Sequence, residues 1–373
     1  MTFALSEIEE QVRATTQKLV REKLPIAHLR ALRDSRDPIG FSRERWRELG
    51  RLGLIGATVG EAWGGAGLGW AALGLVLEEC GRALAPLPWL STIACAFAIE
   101  RAGSDEQRRA NLPAMCAGER LVAFAHEEGT RHSRDAIATR AERAPGGFSL
   151  RGEKVMVLDG HVADALLVSA GAADGPRLFL VAASAPGVVI ERTFTVDSRN
   201  AARVKFDGVA VGEADAVGRA GADTARLVDA LCDRAAIALS AEMLGGLEEV
   251  FERTLAYLKT RTQFGVPIGS FQALQHRMAI AWCEVELARA VVREALVAID
   301  AQRDDVPLLA CAAKARAADA FTLCAAEAIQ LHGGIGVTDE LDVGLFYKRA
   351  RVAAALYGDA AWQRDRFARL KGY

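Results

Sequence analysis

The spacing of apolar residues divides the chain into a helical segment, a segment of short strands and a second helical segment. From Ser6 to about Glu119, apolar residues recur every three or four positions, as they do in amphipathic helices. Between about Leu121 and Val211 the pattern changes to short runs rich in β-branched residues, which predicts strands. Helical spacing returns after about Gly221. The predicted order is therefore helices, strands, helices.

The middle segment contains several short runs with strand character. A turn at Pro145-Gly146-Gly147 is predicted to lead into a strand around Phe148 and Leu150. The last run alternates, with Val204 and Phe206 on one face of the predicted strand. The runs predicted as strands are Val155–Leu158, Ala165–Val168, Leu178–Val181, Val188–Ile190 and Val204–Phe206.

The C-terminal segment is predicted to form a helical bundle. Apolar residues from Leu239 to Leu258 fall three or four apart along one long helix, and further helices are predicted over Leu274–Gln302 and Leu308–Leu331. The last of these is rich in alanine, and small side chains let helices approach closely in an antiparallel bundle. The fold class is thus predicted to be α+β, with an N-terminal helical domain (1–119), a middle β-domain (120–215) and a C-terminal bundle (216–373).

The near-neutral charge argues against functions that depend on a strong electrostatic field. The 373 residues carry a formal charge of −2, too small to attract nucleic acid or anionic lipid. No run of about 18 apolar residues occurs, and the first residues, MTFALSEIEEQVR, lack the apolar core of a signal peptide. We expect a cytoplasmic protein that acts on a small molecule or with a protein partner, and that binds neither nucleic acid nor membrane.

The cysteines show no spacing typical of a metal site or a disulfide framework. There are seven, an odd number, and none falls in a CxxC or Cys/His arrangement. They are predicted to be buried reduced thiols, and no metal site is predicted.

Two C-terminal segments are the most specific motifs of the chain. They read RTQFGVPIGSFQ at 261–272 and QLHGGIG at 330–336. Further motifs are Trp46 with Leu49-Gly50, WGGAG at 63–67, EECGR at 78–82 and RAR at 349–351. On these motifs the chain resembles the acyl-CoA dehydrogenase family over nearly its whole length.

The resemblance implies FAD as the cofactor. In that family an N-terminal helical domain, a β-domain and a C-terminal four-helix bundle surround FAD, and the subunits assemble as tetramers. Arg261 and Gln272 are expected at the pyrophosphate and adenosine of an FAD held mainly by the neighbouring subunit. A guanidinium can bond two phosphate oxygens, and glycine lets backbone N–H groups approach a cofactor. The cofactor-binding residues that the resemblance implies are Arg261, Phe264, Gln272, Gln330, Gly333 and Gly334.

The same residues have simpler interpretations when each motif is taken alone. Arg261 at a helix end is typical of a surface cation, and Gly333-Gly334 is typical of a helix stop. His332, beside the glycine pair, is predicted to pack or to touch the cofactor, because the sequence places no carboxylate or nucleophile near it.

The chain departs from the family at the catalytic carboxylate, the base that removes the α-proton of the thioester. In most members this Glu precedes a Gly-Thr pair, and here Tyr357 occupies that position. A few members place it on the first long helix of the C-terminal domain, where this chain has Ala235, followed by Ala236. A phenol with a pKa of about 10 stays protonated near neutrality. No catalytic residue is therefore predicted.

Two nearby carboxylates are candidates for a replacement base. Asp359 is the nearest to Tyr357 in sequence, but it is expected to cap the final helix instead. Glu242 lies one to two turns from Ala235 and is expected to be a solvated or interface charge.

The β-domain motifs that contact the flavin in the family also differ here. AHEEG at 125–129 stands where relatives have a Thr-Glu-Pro-Gly-type run. Met156-Val157-Leu158 stands where relatives have Trp-Ile-Thr beside the isoalloxazine, so Leu158 lacks the family's hydroxyl. The chain's own isoalloxazine site is predicted to be weakened.

These departures favour a non-catalytic subunit of a heteromeric acyl-CoA dehydrogenase, like those of bacterial enzymes acting on steroid side-chain thioesters. The expected partner is a catalytic paralogue in an α₂β₂ heterotetramer that oxidises an acyl-CoA to its 2,3-enoyl-CoA. An electron-transferring flavoprotein is a candidate acceptor. Two alternatives stay open: a self-sufficient FAD homotetramer with Glu-independent chemistry, and an ordinary dehydrogenase whose base is Asp359 or an unrecognised carboxylate. The sequence does not distinguish a steroid from a fatty acyl chain.

Overall fold

The computed structural model describes residues 5–373, and their contacts group the chain into two compact units. The helical unit comprises the segment up to Ala31, Trp70–Ala85 and Ala236–Tyr373. The β-containing unit comprises Leu32–Gly69 and Pro86–Ala235. The sequential domain boundaries at 119/120 and 215/216 remain a prediction.

The segment before the sheet is helical, as predicted. Ser6 caps α1, because its side chain accepts a hydrogen bond from Glu9 N while the Glu9 carboxylate accepts one from Ser6 N. Ser104 and Gln107 form the same reciprocal cap at α6. The helices are α1 (Glu7–Lys23), α2 (Ile26–Asp34), α3 (Arg43–Arg51), α4 (Trp70–Arg82), α5 (Trp89–Ala102) and α6 (Asp105–Cys116).

The predicted strands lie in one seven-stranded sheet, which also contains two strands, Val122–Ala125 and Arg140–Ala144, that the sequence pattern does not predict. Its order is β1-β4-β2-β3-β7-β6, and β5 pairs with β4. Val204 and Phe206 on β7 are buried, while Arg203 and Lys205 between and beside them are exposed, so the predicted alternation is confirmed. The strands are β1 (Val122–Ala125), β2 (Arg140–Ala144), β3 (Gly147–Leu158), β4 (Ala165–Ala172), β5 (Gly175–Ala182), β6 (Val188–Phe194) and β7 (Asn200–Gly212).

Long helices follow the sheet, and each predicted helix lies within or close to an observed one. Asp359 caps the last helix by accepting a hydrogen bond from Trp362 N at 2.8 Å, as predicted. None of the helices within residues 5–373 is apolar over a length that could span a bilayer. The elements are α7 (Ala222–Thr260), β8 (Thr262–Gln263), β9 (Val266–Pro267), α8 (Gln272–Asp300), α9 (Val306–His332), α10 (Val343–Ala355) and α11 (Ala360–Leu370).

Two glycines explain how α4 and α7 approach each other within the helical unit. A Cβ on Gly81 would lie 1.9 Å from the carbonyl oxygen of Glu242, and one on Gly245 would lie 1.8 Å from that of Glu78. No side chain can be added at such distances without moving the helices. Gly81 belongs to the EECGR motif, so close helix packing accounts for that motif residue.

The cysteine prediction holds at most positions. None of the seven cysteines, all of which lie in the described part of the chain, forms a disulfide, and six are buried. Cys283 is exposed, so the prediction of a buried thiol is wrong at that position, which lies on the outward face of α8.

Candidate functional site

The first C-terminal motif forms a small hairpin between α7 and α8. Thr262 pairs with Pro267 and Gln263 with Val266, which leaves Phe264 and Gly265 as a two-residue turn. Both turn residues have positive φ, 54° at Phe264 and 79° at Gly265, as this kind of hairpin turn requires.

Phe264 is held in an unfavourable conformation without being buried. A left-handed backbone costs a non-glycine residue about 1–2 kcal/mol. The side chain is 91% exposed, and its ring meets only the edge of Phe271, with centroids 6.0 Å apart. Backbone strain at an exposed aromatic residue is typical of a contact surface, so the turn is suited to meet another molecule.

Ring stacking brings the second motif to the hairpin. The rings of Tyr257, near the end of α7, and His332, at the end of α9, are stacked, with centroids 4.2 Å apart and planes inclined by 26°. His332 is buried, its Nδ1 lies 2.7 Å from the carbonyl oxygen of Ala328, and burial lowers its pKa. His332 therefore packs and joins the two motifs, and no carboxylate or nucleophile among residues 5–373 is bonded to its ring.

The residues predicted to bind FAD are all exposed and lie in two segments of the helical unit that the contact between Tyr257 and His332 joins. We call these residues the motif surface: Arg261, Phe264, Gln272, Gln330, Gly333 and Gly334. Arg261 is anchored through its backbone, since its N–H donates to Tyr257 O and its carbonyl accepts from Ile268 N, each at 2.8 Å. Its guanidinium makes no ion pair with any described residue. A cation held in place but unpaired is available to an external anion.

The glycines of the motif surface supply a test of whether it fits a cofactor. Gly333 has a φ of 66°, which by itself favours glycine. Gly334 has no positive φ, and a Cβ built on it would meet no atom within 4 Å. Neither backbone strain nor packing within this chain requires glycine at 334. A group from outside the chain that approaches the backbone closely would require it, as FAD does in the predicted role.

Neither predicted position for the catalytic base holds a carboxylate. Tyr357 lies in the loop between α10 and α11, is half-buried and has a φ of 54°. Ala235 and Ala236 are fully buried in α7. Asp359 serves as the helix cap described above, and its carboxylate is used there.

A buried lysine, which the sequence analysis missed, fixes the Tyr357 loop. Lys314 Nζ donates to the carbonyl oxygens of Ala354 at 3.0 Å and Gly358 at 3.1 Å, on either side of Tyr357. Burial lowers the pKa of Lys314 to about 7, against the opposing effect of Asp359. The feature of the sequence that could have predicted this burial was a single lysine on the alanine-rich face of α9. The loop is therefore held rigidly by a side chain from another helix.

The segment 126–139 of the β-containing unit is closed by its own polar groups. The Glu128 carboxylate accepts hydrogen bonds from the backbone N–H of Ala138 and, at 2.8 Å, of Thr139. It also accepts one from Lys154 Nζ at 2.7 Å. Burial alone would raise the pKa of Glu128, but the bonds from Lys154 and Thr139 lower it to about 2. This carboxylate is thus fully engaged inside the unit.

Lys154 and His126 continue this network, which the sequence analysis also missed. Lys154 Nζ lies 3.0 Å from Ser169 Oγ, which lies 2.9 Å from His126 Nδ1, and His126 Nε2 lies 2.9 Å from Ser133 O. Burial, followed by the charge of Lys154, lowers the pKa of His126 to about 4, so the ring is neutral and donates through Nε2. Lys154 lies on the same face of β3 as Phe148 and Leu150. This even spacing was the feature of the sequence that could have predicted its burial.

The same segment is tied to α7 within the β-containing unit. Arg134 Nη2 lies 2.9 Å from Asp233 and its Nη1 lies 3.2 Å from Asp229. Asp233 is the carboxylate nearest in sequence to Ala235, and it is buried beside Arg134. Side chains two residues apart on an α-helix point in directions about 200° apart. Asp233 therefore does not replace a base at Ala235.

Met156 and Leu158 lie at an irregular end of β3. The pairing of β3 with β7 shifts register between Lys154 and Val157, and Met156 in this bulge has a φ of 50°. Leu158 is buried and Met156 is 37% exposed.

Comparison with known proteins assigns the chain to a family. The acyl-CoA dehydrogenase N-terminal domain matches residues 6–119 and the C-terminal domain matches residues 226–371. Acyl-CoA dehydrogenase IpdE2 of Mycolicibacterium smegmatis is 31% identical over 359 residues, which cover 95% of this chain and 96% of the relative. Acyl-CoA dehydrogenase FadE27 of Mycobacterium tuberculosis is 31% identical over 339 residues, 88% of each chain.

Solved structures agree with these sequence matches. A single-residue variant of the Tcur3481-Tcur3483 steroid ACAD superposes with a TM-score of 0.89 at 33% identity, covering 98% of each chain. The ChsE4-ChsE5 complex from Mycobacterium tuberculosis gives a TM-score of 0.90 at 29% identity, covering 100% of this chain and 99% of the other. The predicted fold class and the predicted cofactor, FAD, are thereby confirmed. The chain belongs to the acyl-CoA dehydrogenase family.

Proposed function

We propose that this chain is the non-catalytic subunit of a heteromeric acyl-CoA dehydrogenase and that its motif surface completes an FAD site held mainly by a catalytic paralogue. The observation on which the proposal depends is the contrast between two parts of the chain. The motif surface keeps an unpaired Arg261 and an open Gly334. The positions of the catalytic base hold Tyr357, Ala235 and Ala236 instead of a carboxylate.

The similar structures support a paired assembly. Two of them are named for two different chains each, ChsE4 with ChsE5 and Tcur3481 with Tcur3483, and the second is called a steroid ACAD. By analogy, the partner is a paralogue that carries the catalytic Glu, the assembly is an α₂β₂ heterotetramer in the cytoplasm, and the substrate is a steroid side-chain thioester of CoA. An electron-transferring flavoprotein is the candidate acceptor for the reducing equivalents.

Five of the six residues of the motif surface have a defined role in this proposal. Bound FAD supplies the group that accepts a hydride from the β-carbon of the acyl-CoA. Arg261 would bind the pyrophosphate, because a guanidinium forms two parallel bonds with phosphate oxygens. Gln272 and Gln330 offer amide groups to the adenosine portion, and Gly334 lets its backbone N–H approach the cofactor. Phe264, exposed at the tip of the hairpin turn, would contact the bound cofactor.

The closed state of segment 126–139 supports the loss of this chain's own flavin site. Glu128 is bonded to Lys154 and to two backbone N–H groups of the same segment, and Arg134 is held by Asp233. These polar groups satisfy one another inside the unit. Together with Leu158, which has no hydroxyl, they leave few donors for an isoalloxazine ring.

The test is to purify the chain alone and together with its paralogue, and to measure FAD per chain by absorbance. Alone, the chain should hold FAD well below one per chain and show little acyl-CoA dehydrogenase activity. With the paralogue, FAD and activity should appear together, and the flavin should number one per pair of chains. A yellow homotetramer with one flavin per chain, bleached rapidly by acyl-CoA, would overturn the proposal.

A further inference from the structure

The solvent-facing side of α8 is apolar where a surface helix normally carries charged residues. One face of α8 is buried in the helical unit and includes Met278, Val285 and Val292. On the opposite face, Ile280 is 60% exposed and Leu287 is 49% exposed. A helix that packs on a core through one face carries polar residues on the other. A second, exposed apolar face is therefore typical of a surface that another protein covers.

The exposed residues of this face follow the spacing of a coiled-coil seam. From position 273 to position 297 they recur in alternating steps of three and four residues, the spacing at which two helices pack along their length. At about 1.5 Å per residue, the row is roughly 36 Å long. Every residue of the row is exposed or half-buried. We call the row the α8 seam: Ala273, His276, Ile280, Cys283, Leu287, Ala290, Glu294 and Val297.

The middle of the α8 seam matches itself when two copies of the chain lie antiparallel. In such a pair, seam residues placed symmetrically about position 285 face each other. Ile280 of one copy then meets Ala290 of the second copy. Leu287 meets Cys283 in the same way. Each large side chain thus packs on a small one, which fills the space between two helices without a void.

The ends of the α8 seam are complementary as well. Ala273 faces Val297 of the second copy, again a small residue against a large one. His276 faces Glu294 of the second copy, so that an imidazole meets a carboxylate, which accepts hydrogen bonds. A parallel pair would instead place each residue against itself, with Glu294 against Glu294 and Ile280 against Ile280. The sizes and charges along the seam therefore favour the antiparallel direction.

The charged residues beside the middle of the α8 seam are neutralised within the chain. Glu284 and Glu286 lie nearest the symmetry axis, where two copies bring identical charges together. Arg316 Nη1 lies 2.6 Å from a carboxylate oxygen of Glu284, and Arg289 pairs with Glu286. Each carboxylate thus has a cation of its own chain, which offsets the repulsion between like charges across the contact.

We propose that the α8 seam is the contact between two copies of this chain, which pair antiparallel across a two-fold axis at the level of position 285. A second copy is the favoured occupant because size and charge match along the whole row with no other chain involved. The contact uses neither FAD nor any residue of the motif surface, so it goes beyond the proposed function. In the α₂β₂ assembly it joins the two non-catalytic subunits, and in the chain alone it produces a homodimer.

The first measurement is the mass of the full chain alone, by sedimentation in a dilution series that starts at about 50 µM, well above the dissociation constant of a stable interface of standard size. We expect a dimer. Ile280→Glu combined with Leu287→Glu places carboxylates of both copies in the contact, and should raise the dissociation constant about 100-fold or more while the folded spectrum is kept. Ile8→Glu, at an equally exposed isoleucine of α1, is the matched control and should stay dimeric.

The second measurement tests the antiparallel direction by disulfide linking. It starts from Cys283→Ser, because the other six cysteines are buried. Ala273→Cys combined with Val297→Cys places thiols at positions that face each other in the antiparallel pair, and oxidised glutathione should link two copies of the chain as it is reduced. Within one chain the two positions lie roughly 36 Å apart and cannot be joined. Each single variant is the control and should stay unlinked, whereas a parallel pair would link both.

Several results would overturn the proposal. These are a monomeric wild type at the highest concentration, an unchanged dissociation constant in the double glutamate variant, and linking of a single cysteine variant as strong as that of the pair. The linking is repeated in the complex with the paralogue, where a covalent product between this chain and the paralogue in place of two copies of this chain would also exclude it. None of these measurements uses flavin or activity. Their failure therefore leaves the FAD proposal standing, and the failure of the FAD proposal leaves the contact standing.

Discussion

Arg349 on α10 and Glu242 on α7 form a buried ion pair, with Nη1 2.9 Å from Oε1. Arg349 is 3% exposed and Glu242 is 7% exposed. The prediction that Glu242 is a solvated or interface charge is therefore wrong. Its carboxylate faces the arginine of the RAR motif, and α10 leads directly into the Tyr357 loop. Glu242 thus has a structural partner and is not the missing base.

Removing one member of this pair should be strongly destabilising. Glu242→Gln takes the carboxylate from beside a buried arginine, and the free energy of unfolding should fall by about 3 kcal/mol in urea titrations. Glu242→Gln combined with Arg349→Met should recover much of the loss. The control is Asp365→Asn, from an exposed pair with Arg369, which should change stability by less than about 1 kcal/mol. If Glu242→Gln lowered the free energy of unfolding as little as Asp365→Asn does, the structural role of the buried pair would be contradicted.

The buried Lys314 should make stability depend on pH in the alkaline range. Its pKa is about 7 in the folded chain and 10.5 ordinarily, so between these values the unfolded chain binds more protons. The stability of the wild type relative to Lys314→Met should therefore rise with pH, by about 2 kcal/mol from pH 7 to pH 9. Urea unfolding of both proteins at several pH values measures this. A difference that stays constant or falls with pH would show that Lys314 is charged in the folded chain.

Restoring a glutamate at the family position should not restore catalysis. A positioned base contributes about 10²–10⁴-fold to a rate. We nevertheless expect Tyr357→Glu to show no α-proton exchange above the wild type, because Met156, Leu158 and Ala236 depart from the family together with the base. Deuterium wash-in at the acyl-CoA α-carbon, measured by mass spectrometry with Tyr357→Gln as control, tests this. Strong exchange by the wild type would instead support the dehydrogenase alternative with another carboxylate as base.

Arg261→Ala should weaken FAD retention in the complex with the paralogue. The loss of a charge-assisted hydrogen bond to phosphate corresponds to about 1.5–3 kcal/mol, or roughly tenfold or more in affinity. Lys259→Ala is the matched control, since it removes an exposed positive charge near the same end of α7 without touching the motif. FAD content after dialysis is the measurement. Equal retention in both variants, with intact assembly, would make Arg261 an ordinary surface cation.

Much of the local structure could be predicted because its causes lie within a few residues. The alternation of Val204 and Phe206 determines which face of β7 is buried. Asp359 caps α11 because a short carboxylate reaches the N–H three residues later. The motifs at 261–272 and 330–336 likewise identified the family from the residues alone.

Only the tertiary structure decided which polar groups meet. Glu242 and Arg349 are 107 positions apart, and the stacked rings of Tyr257 and His332 come from different helices. Lys314 reaches carbonyl groups 40 and 44 positions away. A sequence pattern shows that a residue lies on a helix or strand and on which face, but not which element packs against that face. The burial and the charges of the partner then determine whether the side chain is solvated, paired or neutral.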